Sequence, residues 1–228
     1  MTRAIKAQGR IRRKIVFDLE TTGLDAGRNR IITLGAVRLD RYGLIQGKAL
    51  HLIFDPRQDS HPAAFQIHGW DNWTTRFQPL FADLAPFVRD WFSWAEELVA
   101  HNAAFDYPFL QRALRKANLP VLDLPVQCTM LMARERWPGE RAKLDDCLTR
   151  VGLQRSSRRH GALEDALLTA HLLSHLEGRP LSPPASLDRL PGPTNYVTPD
   201  PVPKGDLPRR TPKRHDPDFL KKKGLNFP

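Results

Sequence analysis

Cysteine is scarce in this chain: Cys128 and Cys147 are the only two among 228 residues, and neither has companions at zinc-ligand spacing. Two thiols argue against a disulfide-built secreted scaffold and fit a reducing cytoplasm, which is the expected location. Long apolar runs are also missing. None approaches the roughly 18 residues needed to cross a bilayer, so no membrane partner is expected. The opening MTRAIKAQGRIRRK lacks the apolar core of a secretory signal. Acid is under-represented, with 25 Asp and Glu against 35 Lys and Arg, for a net charge of +10. That excess is confined to the ends. Residues 1–14 hold six Lys or Arg and no acid, and residues 204–228 hold eight against three Asp. The stretch between them is close to neutral, so the two ends read as basic arms suited to the phosphate backbone of a nucleic acid, or serving solubility alone.

Proline divides the chain. Twelve of the twenty prolines fall after residue 179, where no apolar period is sustained, so residues 179–228 read as a Pro-rich, basic, flexible tail. Residues 1–12 form a basic N-terminal arm, and residues 13–178 form the folded domain. Within it, residues 13–19, 30–40 and 46–54 read as three strands of an antiparallel meander. Leu84, Phe87, Val88, Trp91 and Phe92 recur at helical spacing, which predicts a helix over 84–94 with Asp83 as its cap and Pro86 in its first turn. Short strands at 97–100 and 126–130 and helices over 107–117, 143–151 and 162–176 complete an α/β domain with a mixed sheet.

The chemistry begins with VFDLETTGLD, residues 16–25. An apolar strand carries Asp18 and Glu20 two residues apart, so both carboxylates point to one face. Two acids on one face repel, and burying them unpaired is costly. A solvated strand end is one explanation, and a divalent cation between them is the other. In LVAHNAAFDYPFL, residues 98–110, Asp106 falls where a helix should start, as a capping aspartate or a further ligand. In RHGALEDALLTAHLL, residues 159–173, His160 precedes Asp165 by five positions. Five residues on an ideal helix do not share a face, so the two converge only if His160 lies on the preceding loop, with Gly161 as the break. Together Asp18, Glu20, Asp106 and Asp165 offer four hard carboxylates suited to Mg²⁺ or Mn²⁺, and His160 offers a base that is effective near neutral pH.

FDLETTGLD, IHGW at 67–70, HNAAFD at 101–106 and HGALEDA at 160–166 occur in the order found in the DEDDh family of 3′→5′ exonucleases. The chain resembles that family over residues 13–178, in particular the proofreading (epsilon) subunits of bacterial replicative DNA polymerase. The resemblance implies a ribonuclease-H-like fold, a five-stranded mixed sheet flanked by helices. It also implies that Asp18, Glu20, Asp106 and Asp165 hold two ions of Mg²⁺ or Mn²⁺. His160 would deprotonate a water that cleaves the terminal phosphodiester of single-stranded DNA and releases a nucleoside 5′-monophosphate. Glu164 is excluded as a ligand by its different direction on the helix.

For the substrate, the same resemblance points to Thr21, Thr22 and Gly23 as backbone N–H donors to the terminal nucleotide, with a plain turn as the alternative. It points to His68 as a residue near the substrate, or else a structural histidine, and to Asn102 and Phe105 as supports of the site, Phe105 by packing. Trp70 and Trp73 are read as packing residues before base-stacking ones. Relatives often have Asp where Cys128 stands before Thr129. The implied partners are single-stranded nucleic acid, DNA ahead of RNA, and a DNA polymerase or other replication or repair protein reached through the tail. An RNA-trimming exoribonuclease and a catalytically vestigial nucleic-acid-binding assembly protein remain open as alternatives.

Overall fold

The computed structural model describes residues 12–40, 43–182, 187 and 190–224; most of the expected N-terminal arm lies outside them. Apolar alternation makes β1 (Lys14–Thr21), β2 (Ile31–Asp40) and β3 (Gly43–Ile53) an antiparallel meander. β4 (Glu97–Ala100) then pairs parallel to β1, and β5 (Val126–Cys128) parallel to β4. The five strands lie in the order β3-β2-β1-β4-β5, so the strand bearing Asp18 and Glu20 is central.

Period-two alternation sorts the β1 side chains. Ile15, Phe17 and Leu19 enter a core with Leu84, Val88 and Phe92 of α3 (Phe81–Ser93) and Phe109, Leu110 and Leu114 of α4 (Ala103–Lys116). Val16 faces the other way, against Leu163, Ala170 and Leu173 of α7 (Ala162–Leu176). The outer side of α7 packs through Leu168 and Leu172 on Ala133 of α5 (Thr129–Arg136) and Leu144, Cys147 and Leu148 of α6 (Leu144–Arg150). Covered on both sides, α7 is buried nearly all round. The expected mixed sheet with helices on both faces is what the chain forms.

Several boundaries differ from the expectation. α3 starts three residues early, so Pro86 lies inside it, and Asp83 accepts the Leu80 N–H at 2.7 Å from within the first turn instead of capping from outside. α4 starts at Ala103 rather than Tyr107, after Asn102 in a left-handed conformation (φ 69°), so Asp106 belongs to its first turn and is not its cap. The fifth strand ends at Cys128, and α5 follows immediately without a side-chain cap. Two short helices, α1 (Pro62–His68) and α2 (Asn72–Arg76), carry no apolar period. Their signals are Pro62 at a helix start and Asp71, which accepts from the N–H groups of Trp73 and Thr74.

The tail residues 190–224 hold one short helix, α8 (Phe219–Lys222), and lie against the domain. Asn195, buried, accepts the Ile53 N–H at 2.9 Å and donates to the Ile53 carbonyl at 2.6 Å, and the Thr194 N–H donates to the His51 carbonyl at 2.9 Å. These are groups of the edge strand. Because Pro191 and Pro193 cannot donate, a side-chain amide replaces the peptide ladder.

One contact sets the height of α7 over the sheet. Gly35 pairs with Asp18 across β1 and β2, and a Cβ built on Gly35 would lie 2.1 Å from the Ala162 carbonyl carbon and 2.2 Å from the Leu163 nitrogen. Only a glycine admits the helix start this close to Asp18. Gly35→Ala should therefore destabilise the fold by about 3 kcal/mol, the upper end of overpacking costs, because backbone must move. The expected fall in thermal midpoint is roughly 6–12 °C. Gly192→Ala, whose Cβ meets nothing within 4 Å, is the control; equal midpoints for the two variants would refute the argument.

Candidate active site

Asp18 and Glu20 project from the same face of β1, under the first turn of α7. Asp18 keeps intermediate exposure, whereas Glu20 is buried. Asp106 arrives from the first turn of α4, buried, and its Oδ1 accepts the Leu19 N–H at 3.1 Å, which pins α4 to the backbone between the two β1 acids. Asp165 descends from α7. His160 sits on the loop before Gly161, its N–H held by the Ile67 carbonyl at 3.0 Å, and its Nδ1 is 3.5 Å from Asp165 Oδ2. The loop placement required for His160 and Asp165 to converge is the one the chain adopts.

Four carboxylates this close are mutually destabilising. Burial, then the charges of Asp165, Asp106 and Glu20, raise Asp18 well above the ordinary carboxylate range. Glu20 is raised by burial and by Asp165, and Asp106 by burial against the opposing Leu19 hydrogen bond. Asp165 is raised by burial to about 6, although Arg155 opposes the shift. His160 is lowered by burial and by the Arg155 charge, so its ring is neutral over a wider range of pH.

Arg155 and His101 are the contributions that sequence reasoning missed. The Arg155 guanidinium, almost buried, bonds Asp165 Oδ1 and Asp145 Oδ1, the latter at 2.6 Å. In QRSSRRH it is one basic residue among several, and nothing in the spacing marks it. His101, at the end of β4, bridges the Thr129 hydroxyl and the Ala142 carbonyl, both at 2.9 Å, and burial lowers its pKa to about 4. It ties the α5 start to the loop before α6. Glu164, as expected, turns away, accepting the Ser156 N–H at 2.6 Å.

The residues assigned to substrate fare differently. Thr22 is fully buried and its N–H already donates to the Arg30 carbonyl at 2.9 Å, so it has no backbone donor to offer a nucleotide; its hydroxyl accepts from Arg30 N and Gln58 Nε2. This corrects the expectation for Thr22, which builds the turn instead. The Thr21 hydroxyl donates to the Gly23 carbonyl at 2.8 Å. His68 is buried at the end of α1, its Nδ1 accepting from Trp70 N–H, and burial lowers its pKa to about 4; the charge of His160 contributes in the same direction, so the two rings are neighbours. Asn102 supplies the left-handed entry to α4, and Phe105 packs on Phe109 at 5.0 Å between ring centres. Trp70 lies against Tyr196, and Trp73 against Phe77, donating to the Asp200 carbonyl.

The donor set fits a divalent cation. Glu20, His160 and Asp165 each offer a ligand atom within 4.8 Å of the others, and Glu20 Oε1 is buried without a hydrogen-bond partner. Residues 15–173 match the Exonuclease family. The chain belongs to it. DNA polymerase III subunit epsilon of Rickettsia felis is 34% identical over 172 residues, covering 73% of this chain and 74% of that protein. The subunit of the same name from Escherichia coli K12 is 34% identical over 178 residues, covering 74% and 72%. Among solved structures, Exonuclease X in complex with 5′-overhanging duplex DNA superimposes with a TM-score of 0.59 at 25% identity, over 72% of this chain and 91% of that one. Escherichia coli Exonuclease I with a dT13 oligonucleotide gives 0.65 at 18% identity, over 73% and 41%, a likeness of fold. The protein is a 3′→5′ exonuclease, of a family that is typically divalent-metal dependent. Among the described residues, no helix is long and apolar enough to cross a membrane.

The raised carboxylates make a prediction for the metal-free exonuclease. A raised folded-state pKa favours the protonated native state, so stability is lost as pH rises from about 4 through about 6, the span set by an ordinary carboxyl and Asp165. Mn²⁺ should therefore raise the thermal midpoint more at pH 7.5 than at pH 5, where protons compete for the ligands. Thermal unfolding in EDTA and in Mn²⁺ at both values checks this; equal shifts would contradict it.

Proposed function

We propose that this exonuclease removes nucleoside 5′-monophosphates from the 3′ end of single-stranded DNA. Asp18, Glu20, Asp106 and Asp165 would hold two ions of Mg²⁺ or Mn²⁺, with His160 as the general base. The observation that carries the proposal is the convergence of Glu20, His160 and Asp165 at ligand distance beside an unsatisfied Glu20 oxygen, with Asp18 partly exposed next to them. Bound divalent ions supply Lewis-acid activation of water and stabilise the charge of the leaving 3′ oxygen.

His160 has the access and the protonation state the role needs. Its side chain is 37% exposed, its lowered pKa keeps the imidazole neutral, and its backbone is fastened to α1. The ring accepts a proton from water as the water oxygen bonds to phosphorus and the bond to the 3′ oxygen breaks. Asp106 keeps α4 in place through Leu19, so the acids hold their spacing before substrate arrives. DNA in the names of the related proteins supports DNA over RNA, and the epsilon relatives support a polymerase partner, a proofreading role and a cytoplasmic setting.

A time course on 5′-labelled single-stranded DNA and matched RNA with Mg²⁺ tests the reading. The expected result is a ladder shortening from the 3′ end, faster on DNA and abolished by EDTA and by Asp165→Ala. No shortening of either polymer would overturn it. His160→Ala should lower turnover by about 10²–10⁴-fold with metal-induced stabilisation retained. Turnover should climb with pH along a limb whose midpoint lies below the ordinary histidine value of 6.5, because a base works deprotonated; a midpoint above that value would remove His160 from the role.

A further inference from the structure

The Pro-rich C-terminal segment spends its charges internally. Asp55, whose side chain is fully buried, receives Arg210 Nη1 at 2.8 Å, Arg57 Nη1 at 3.1 Å and Lys213 Nζ at 3.6 Å. Two of those three cations come from the tail. Arg210 also bonds the Gln58 carbonyl at 2.9 Å and Asp59 at 3.0 Å, while Lys213 donates to the carbonyls of Arg76 and Gln78. Buried Asp83 accepts the Asp216 N–H and pairs with His215, both at 2.7 Å. Gln78, fully buried, exchanges two hydrogen bonds with Val197, each of 2.8 Å. Phe219 and Leu220 pack against the core cluster, and α8 meets α3. Charged and amide groups sealed in this way leave unsatisfied partners behind if the segment lifts off.

The segment also reaches the catalytic turn. Gln58, whose carbonyl Arg210 holds, donates through Nε2 to the Thr22 hydroxyl at 2.6 Å, and Thr22 follows Glu20 by two residues. Thr22's carbonyl in turn accepts the His61 N–H at the start of α1, the helix whose Ile67 carbonyl fastens His160. Earlier in the tail, Tyr196 lies against Trp70, beside His68.

We propose that residues 190–224 are an intramolecular strap of the exonuclease domain, not a free tether, and that Arg210 is a positioning residue for the turn after the catalytic strand. Arg210 does not touch the reacting atoms. It acts through Gln58 on Thr22, and so on the geometry of Glu20 and of the loop that presents His160. The placement of the strap stands independently of the assignment of the catalytic groups; only the kinetic consequence rests on it.

Amide hydrogen exchange on the full-length protein tests the strap. The N–H groups of Thr194, Val197 and Asp216, which donate to the His51 carbonyl, Gln78 and Asp83, should be protected. Exchange at the rate of an unstructured peptide at all three would overturn the proposal. Arg210→Gln tests the positioning role: exchange at Thr22 and His61 should quicken while Val99 in β4 stays protected, and turnover should fall about tenfold, a modest misplacement effect. The kinetic substrate is the p-nitrophenyl ester of thymidine 5′-monophosphate, which carries a single nucleotide, so lost contacts with a long strand cannot explain a fall. Unchanged exchange at Thr22 with unchanged turnover would refute the role of Arg210. If the unsubstituted protein fails to cleave the ester with Mg²⁺ or Mn²⁺, the catalytic reading has failed, and the exchange data still decide the strap.

Discussion

The site depends on one close approach, the seating of the α7 start on Gly35. Because Gly35 stands opposite Asp18 in the β1–β2 register, the absence of a side chain there lets the helix backbone descend to the sheet beside the acid. His160 lies just before that contact and Asp165 in the turn just after it. A higher helix would leave the β1 acids without their partners. The apolar surface of α7, packed on the sheet on one side and on α5 and α6 on the other, holds it there.

Bringing four carboxylates together works against folding, and the molecule offsets it in separate ways. Arg155 places a cation between Asp165 and Asp145, Asp106 takes a backbone N–H, and Asp18 keeps some access to solvent. Glu20 keeps an unpartnered oxygen. The remaining imbalance is what gives such a site its affinity for a divalent ion: the fold has already met the repulsion, and an ion that binds relieves it. A fully neutralised site would be more stable and would hold metal less well.

Part of the basic charge near the two ends is committed to acids of the domain. Lys14, at the start of β1, is buried among Glu97, Glu177 and Gln127. Arg210 and Lys213 are committed to buried acid, whereas Arg209, Arg214 and Lys221 to Lys223 remain exposed. Net charge therefore overstates what the tail has left to offer a nucleic acid. The strap also satisfies backbone groups of His51 and Ile53 at the end of the β3 edge, which would otherwise be unpaired.

The sequence by itself determined the meander, the helix bearing Asp165, the acid set and the family. These follow from period-two and period-3.6 alternation and from short motifs, which are local properties of the chain. The loop position of His160 was legible for the same reason, since five residues on a helix cannot share a face. Tertiary structure alone decided the rest. Nothing local says that Asp106 bonds to Leu19, that Arg155 rather than Arg158 or Arg159 enters the acid cluster, or that the Thr22 N–H is already taken by Arg30. Proline-rich composition reads as mobile because it lacks apolar period and amide donors, yet the strap is held by side chains: Asn195 on the β3 edge and Arg210 on Asp55. Such contacts join residues more than a hundred positions apart, and only the folded sheet brings the two ends of each within reach.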